Sequence, residues 1–395
     1  MVFRRGMLYN EGMKKRILID KVKEFVQSYP IVTIVGPRQS GKTTLAKLAF
    51  PNYRYVNLEA LNDRAFAEED PIAFLEQFRD ANVIIDEVQR VPELLSQIQV
   101  MVDCDNRKGH FILTGSHNFS LMKNVSQSLA GRTALCTLLP FSLQELSEEM
   151  RHTSLNEMMW KGFYPKIHTT DVTTVDELAF YIATYIERDV REIEQVRNLR
   201  TFSRFLRLAA GRTGCVLNVS SLATDAGISP KLATEWLSIL EASYIITLLE
   251  PWHANINKRL VKAPKLYFLD VGLAAHLMGI TTPEQLVTHP LRGELFETMV
   301  VNEALKQIYN LGSHKRLYYY RDSNRNEIDL VVQNGLETHL CEIKSGATFS
   351  KDWVKTLTRL KDLFGESATL EVVYGGDETQ ARSEFKLTSW RDFII

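Results

Sequence analysis

The chain has few of the features that mark a secreted, membrane-spanning or broadly cationic protein. Its four cysteines, Cys104, Cys136, Cys215 and Cys341, are widely scattered and form no Cys-x-x-Cys pair. That excludes a disulfide scaffold, offers no zinc site by spacing, and fits a reduced, cytoplasmic setting. No apolar run approaches the roughly 18 residues of a membrane span. Met1-Val2-Phe3-Arg4-Arg5-Gly6 is basic with no apolar core after it, so it is not read as a signal peptide. The formal net charge of −1 gives no global cationic field for nucleic acid, although local patches remain open. There is no internal repeat and no low-complexity tract. What remains is ordinary for a globular protein, 45% hydrophobic and 24% charged, and its 395 residues suffice for two or three domains.

The strongest positive feature is Gly36-Pro37-Arg38-Gln39-Ser40-Gly41-Lys42-Thr43-Thr44. It matches G-x-x-x-x-G-K-[ST], the Walker A phosphate-binding loop. The β-branched run Ile31-Val32-Thr33-Ile34-Val35 before it reads as a buried strand, and Leu45 to Ala49 after it reads as helix. Such a loop turns successive backbone N–H groups toward one anion, and the helix adds its positive N-terminal end. Lys42 is expected on the β- and γ-phosphates of ATP and the Thr43 hydroxyl on Mg2+. Asn82-Val83-Ile84-Ile85-Asp86-Glu87 reads as a strand ending in two carboxylates, the Walker B pattern. Ligands of open parallel sheets sit at strand carboxyl ends. Asp86 is therefore expected to hold Mg2+, and Glu87 to orient the attacking water. Phe111-Ile112-Leu113 is a third strand whose polar end offers Thr114, Ser116 and Asn118 as unranked γ-phosphate or water contacts. Arg132, in Leu129-Ala130-Gly131-Arg132-Thr133, is either an arginine finger, in cis or from a neighbouring copy, or a surface arginine.

Phe202 to Trp252 reads as a winged helix: a short helix, the Gly227 turn, an N-cap at Ser229, a second helix striped by Leu232, Trp236, Ile239 and Leu240, then wing strands 244–249 and 265–269. Its second helix exposes Lys231, Thr234 and Glu235, poor chemistry for a phosphate surface, so DNA docking and a packing role both stay open. Arg200, Arg204 and Arg207, with Arg197 nearby, make a better basic face.

In the last third, Glu327 to Gln333 alternates as a half-buried strand and Asn334-Gly335 is a strong hairpin signal. A two-residue turn there sets Gln333 opposite Leu336. It places Ile328, Leu330, Val332, Cys341 and Ile343 on an apolar face, and Glu327, Asp329, Glu342 and Lys344 on the other. Asp329 and Glu342 become diagonal neighbours within reach of one Mg2+, and Lys344 is placed to stabilise charge in phosphodiester hydrolysis. Glu297, on the preceding amphipathic helix, is a further candidate metal ligand. A solvated amphipathic hairpin is the alternative.

The runs GPRQSGKTTL, VIIDEVQR, LTGSHN, LAGRT, YIERDV, KLYFLDVGLAA, GELFETMV and EIDLVV with CEIKSG carry a resemblance. Together they resemble a family of prokaryotic AAA+-type P-loop ATPases with a C-terminal domain of unknown function. The last two runs look like the Asp…Glu-x-Lys core of the PD-(D/E)xK nuclease superfamily, with Asp329, Glu342 and Lys344 on the motif and Glu297 at its usual helix position. The resemblance adds Arg188 as a second candidate γ-phosphate sensor. The expected fold class is α/β. It comprises an N-terminal P-loop ATPase domain with a parallel sheet (1–155), a central helical lid and winged-helix region (156–285), and a C-terminal α/β nuclease-like domain (286–395). The expected activity is Mg2+-dependent ATP hydrolysis coupled to the nuclease-like domain, acting on DNA. The alternative is a nucleotide-gated switch or scaffold that binds a protein partner through a non-catalytic nuclease-like domain. ATP is the expected ligand; DNA, a protein partner and further copies of the chain are candidate partners, and no membrane is implied.

Overall fold

The computed structural model of the protein describes residues 14–105, 107–116, 129–150, 152–186, 199–253 and 263–395. Five strands form the N-terminal sheet: β1 (Ile31–Gly36), β2 (Arg54–Asn57), β3 (Val83–Asp86), β4 (Phe111–Ser116) and β5 (Thr133–Thr137). Their order is β2-β3-β4-β1-β5, and every pairing is parallel. Parallel strands covered on both faces read as continuous apolar runs, and all six residues of β1 are buried. Val32 and Ile34 pack with Leu18, Val22, Leu45 and Ala46 of the helices Leu18–Phe25 and Lys42–Ala49. Ile31 and Val35 pack on the opposite side with Leu94 and Ile98 of the helix Leu94–Asp105. The strand order sets the carboxyl ends of β1 and β3 at one edge, with β4 between them.

The central part is helical, and then comes a compact unit. The helix Leu199–Ala210 leads into β6 (Cys215–Val216), the helices Val219–Ala226 and Pro230–Ala242, and strands β7 (Ile246–Leu249) and β8 (Lys265–Phe268). The three strands form one antiparallel sheet in the order β6-β8-β7. Gly227 ends the first of the paired helices at φ 72°, a left-handed cap that glycine enters without a Cβ penalty. The Ser229 hydroxyl then accepts from the Leu232 amide to start the second. Trp236 fixes the helix angle by packing edge-on against Phe202 and Phe205, each at 5.2 Å between ring centroids. Arg200, Arg204 and Arg207 are exposed on the Leu199–Ala210 helix.

The C-terminal part begins with the 20-residue helix Arg292–Leu311. It packs on a mixed six-stranded sheet of order β13-β14-β12-β11-β10-β9. The strands are β9 (Arg316–Arg321), β10 (Glu327–Asn334), β11 (Glu337–Lys344), β12 (Thr369–Tyr374), β13 (Gln380–Ala381) and β14 (Lys386–Ser389). Two expectations about the β10–β11 hairpin need correction. Asn334 stays in the ladder opposite Glu337, so the turn is Gly335-Leu336, and Leu330 pairs with Cys341. Gly335 supplies the positive φ of 61°. A slip of two residues keeps every side chain on its face, whereas a slip of one exchanges the faces. A β-bulge between Ile328 and Val331 does exchange one. Ile328 packs with Val331 and Leu340 beneath the helix Asp352–Leu360, whereas Leu330 and Val332 pack toward the long helix with Phe296 and Met299. Both faces of the hairpin are therefore covered. One apolar cluster runs from Phe141 and Phe163 through Trp236, Phe268 and Met299 to Trp390, so the central part and this face of the C-terminal sheet share a core.

Candidate functional site

At the carboxyl end of β1 the chain turns through Gly36 at φ 149°, and a Cβ there would run into the Leu138 carbonyl. Only glycine fits. Gly41, at φ 91°, opens the helix Lys42–Ala49. The Lys42 ammonium is tucked into the loop, donating to the Gly36 and Pro37 carbonyls at 3.1 and 2.7 Å. Beside it the Thr43 hydroxyl lies 3.1 and 2.9 Å from the two oxygens of Asp86. Asp86 is buried, and it also accepts from the Tyr55 hydroxyl at 2.8 Å and from the Thr114 hydroxyl. This brings Thr43 and Asp86 together. Thr114 serves Asp86 through its hydroxyl, and Ser116 is placed by its backbone opposite Gly36. Clustered hard oxygen donors fit Mg2+. Glu87 stands in the left-handed region at φ 56°, a conformation that a non-glycine residue holds only under constraint, and Gln89 donates to its carboxylate. Burial and the Asp86 charge push the Tyr55 hydroxyl well above its ordinary range, so it stays a donor.

Over this loop lies a cavity of about 560 Å3. P-loop residues Arg38, Gln39 and Gly41 to Thr44 line one side with Glu59 and Glu87, and Pro165, Lys166 and Thr169 line the other. The short helix Pro165–Thr169 thus belongs to the site, and Lys166 is a cation above the loop, 2.5 Å from buried Glu177. Arg16 braces the loop from below. Its guanidinium donates to the Ser40 and Leu139 carbonyls at 2.7 and 2.6 Å and pairs with Glu145 at 3.0 Å.

Arg132 is not brought to the P-loop of its own chain. It sits at the amino end of the sheet, where its carbonyl accepts from the Ile31 amide, and its guanidinium pairs with Asp103 at 2.5 Å. Five residues of β1 separate that end from Gly36, roughly 17 Å at about 3.3 Å per residue. Asn118, Arg188 and Arg197 lie outside the described residues.

A second polar cluster forms where β8, β10, β11 and the long helix meet. The Lys344 ammonium bridges Glu342 at 2.6 Å and Asp329 at 3.3 Å, and the Ile343 amide donates to Asp329 at 2.8 Å. Glu297 accepts from Lys265 at 2.7 Å and from the Tyr267 hydroxyl at 2.5 Å. Lys265 also reaches Glu327 at 2.5 Å, and Arg321 lies 3.6 Å from that carboxylate. Four carboxylates thus face three cations. Burial and the Asp329 charge push the Glu342 carboxyl up to about 8 and Glu297 up to about 7. Oε2 of Glu342 is buried with no hydrogen-bond partner among the described residues. An orphaned buried carboxylate oxygen fits a hard cation. Asp329, Glu342 and Lys344 are brought together, with Glu297 close enough to feel the Asp329 charge. Lys265 and Tyr267 join them without any sequence signal beyond the apolar pattern of the wing strand.

Residues 28–147 match a family model described as an AAA domain, and residues 152–284 and 292–393 match two models described as domains of unknown function. An uncharacterised protein of Mycobacterium tuberculosis is 29% identical over 372 residues, spanning 92% of this chain and 81% of its own length. One of Methanocaldococcus jannaschii is 20% identical over 410 residues, spanning 95% of this chain and 87% of its own length. Among solved structures, the Walker-type ATPase of Pyrococcus abyssi aligns with a TM-score of 0.46 and 15% identity, covering 70% of this chain and 99% of that one. No helix among the described residues is long and apolar enough to cross a membrane.

Proposed function

Taking the N-terminal unit as a P-loop ATPase of the AAA type, we propose that the chain is a Mg2+-dependent ATPase whose nucleotide state is passed to a nuclease-like C-terminal unit acting on DNA. The observation that carries the ATPase reading is the joining of Thr43 to Asp86 at the rim of the P-loop. Bound Mg2+ supplies neutralisation of the phosphate charge. Arg38 to Thr44 wrap the phosphates with backbone N–H groups, and Lys42 leaves its carbonyl partners for the phosphate oxygens. Glu87, held by Gln89, accepts the proton of the attacking water. Lys166 faces the same cavity and closes it from the lid side.

The DNA arm rests on Asp329, Glu342 and Lys344 converging on one spot beside Glu297. In this reading Asp329 and Glu342 hold Mg2+, and Lys344 stabilises the phosphorane charge. The Leu199–Phe268 unit is read as a winged helix, with the exposed Arg200, Arg204 and Arg207 as its phosphate contacts. One observation favours the second reading, a nucleotide-gated switch with a non-catalytic nuclease-like unit. Lys265 already lies against Glu297 and Glu327, where a metal's charge is needed.

The test is ATP turnover with and without DNA, together with incubation of plasmid, junction and single-stranded DNA with Mg2+ or Mn2+. Cutting by the wild type and not by Glu342→Ala supports the nuclease arm. If nothing is cut, or if Glu342→Ala cuts equally, the nuclease arm is lost and the switch reading stands on the ATPase alone.

A further inference from the structure

Spacing along the chain pairs none of the cysteines into a metal site, yet the C-terminal sheet builds a mixed donor set across two strands. β11 and β12 are parallel neighbours in which His339 stands opposite Thr369 and Cys341 opposite Glu371. Side chains two apart on a strand share a face, so His339, Cys341 and Glu371 converge. Their ligand atoms all lie within 4.8 Å of one another. Nε2 of His339 is 2.7 Å from Oε2 of Glu371, and Sγ of Cys341 is 3.8 Å from the same oxygen. In a tetrahedral zinc centre, bonds of about 2.0 Å to nitrogen and oxygen and about 2.3 Å to sulfur separate the ligand atoms by roughly 3.3–3.6 Å. The observed spacings straddle that range, so small side-chain rotations complete the geometry.

The outer contacts are those a metal site needs. Nδ1 of His339 lies 2.6 Å from the Thr369 hydroxyl. With a metal bound, a proton on Nδ1, donated to that hydroxyl, would leave the Nε2 lone pair for the metal. The other oxygen of Glu371 is held by the Thr388 hydroxyl and by Lys386 at 3.3 Å. Glu371 is only 1% exposed, a costly burial for a carboxylate, and Cys341 is fully buried. A cavity of about 360 Å3 lined by His339, Thr369, Glu371 and Lys386 gives an entry path and an open fourth position. Glu342 follows Cys341 directly and so points to the opposite face, which separates this set from the acidic cluster.

We propose that His339, Cys341 and Glu371 form a binding site for a borderline divalent cation, Zn2+ foremost, with the fourth position open to the cavity. Binding releases two protons to solvent, the Cys341 thiol proton and the Nε2 proton that holds His339 to Glu371, and the metal replaces that contact. The site is independent of ATP hydrolysis and of DNA cleavage.

The test uses the full chain, stripped with chelator, loaded with Zn2+ or Co2+ and desalted. One equivalent of Zn2+ per chain is expected, and Co2+ should give a near-ultraviolet thiolate charge-transfer band. Cys341→Ser should abolish the band. His339→Ala, at a partly exposed position with little risk to folding, should weaken Co2+ binding at least about tenfold, the scale seen even for outer-shell partners. Cys104→Ser, which removes an exposed thiol elsewhere, should change neither. A wild type that keeps no cation after desalting overturns the proposal. So does a His339→Ala variant with native circular dichroism and unchanged Co2+ affinity, which would leave His339 and Glu371 as a plain ion pair.

Discussion

Replacing Lys265 with methionine removes the cation on which the acidic cluster rests. Lys265 is 2% exposed and contacts Glu297 at 2.7 Å and Glu327 at 2.5 Å. Glu327 is the more exposed of the two and keeps Arg321 nearby, so most of the loss falls on Glu297. Stranding one member of a buried ion pair costs about 3–5 kcal/mol. Protonation caps that cost. Glu297 starts from an ordinary 4.5 and is already pushed up to about 7 with Lys265 in place, and loss of the ammonium moves it higher. Keeping such a carboxyl protonated in the folded state costs roughly 5 kcal/mol at pH 8 and about 2 kcal/mol at pH 6, at about 1.4 kcal/mol per tenfold change. A carboxyl with a raised folded pKa contributes stability that is full below the unfolded value and is lost as pH rises through the folded value. The Lys265→Met penalty should therefore grow between pH 6 and pH 8, from near zero to about 1.5 kcal/mol once the wild type's own share is subtracted. Urea midpoints at the two pH values, followed by tryptophan fluorescence, measure it. Millimolar Mg2+ should recover part of the loss at pH 8. A penalty under about 1 kcal/mol at pH 8, or one that shrinks as pH rises, would refute the reasoning.

Lys42→Ala should abolish ATP binding in a fluorescent-nucleotide titration. Glu87→Gln should bind ATP normally and lose turnover by at least about a hundredfold, as expected for removal of a general base; equal turnover would remove that role. Gly36→Ala meets the Leu138 carbonyl at a positive φ and should destabilise the P-loop by more than 2 kcal/mol, seen as lost nucleotide binding and a lower melting temperature. Arg132→Ala should leave ATP affinity unchanged, because Arg132 pairs with Asp103 at the far end of β1. Turnover that falls only at protein concentrations where copies associate would place the residue at a neighbour's site.

The N-terminal site was legible because its parts are contiguous. A loop of nine residues and a strand ending in Asp86-Glu87 each announce themselves by composition, and the parallel sheet only had to bring them together. Tyr55 and Arg16 were invisible because their contacts depend on strand order and on an N-terminal segment folding under the loop. Alternation on the hairpin was enough to gather Asp329, Glu342 and Lys344. It failed at Ile328, because a bulge adds one backbone residue without any change in the hydrophobic pattern. The turn moved because Asn334 pairs with Glu337 in the ladder, which leaves Gly335 to take the positive φ of the turn. Lys265 reads as the polar end of a wing strand, and only the packing of β8 against the long helix shows that it is buried. The same limit hid the His339, Cys341 and Glu371 set, since parallel neighbours are joined through a long crossover that erases spacing as a clue.

The long helix Arg292–Leu311 carries Glu297 into the acidic cluster, and six residues later Glu303 accepts from the Leu143 amide at 2.9 Å, just beyond the last strand of the nucleotide-binding sheet. Six residues are about 9 Å of rise, and each residue turns the helix by about 100°. The two glutamates are therefore geared to one another. A single inserted or deleted residue between them would swing one out of its socket while the other stayed home, leaving an unpaired buried carboxylate at one end. Conservative substitutions along that stretch are tolerable, but its length is not free to drift. Homologous chains that keep both sockets should keep the six-residue spacing even where every residue between them has changed.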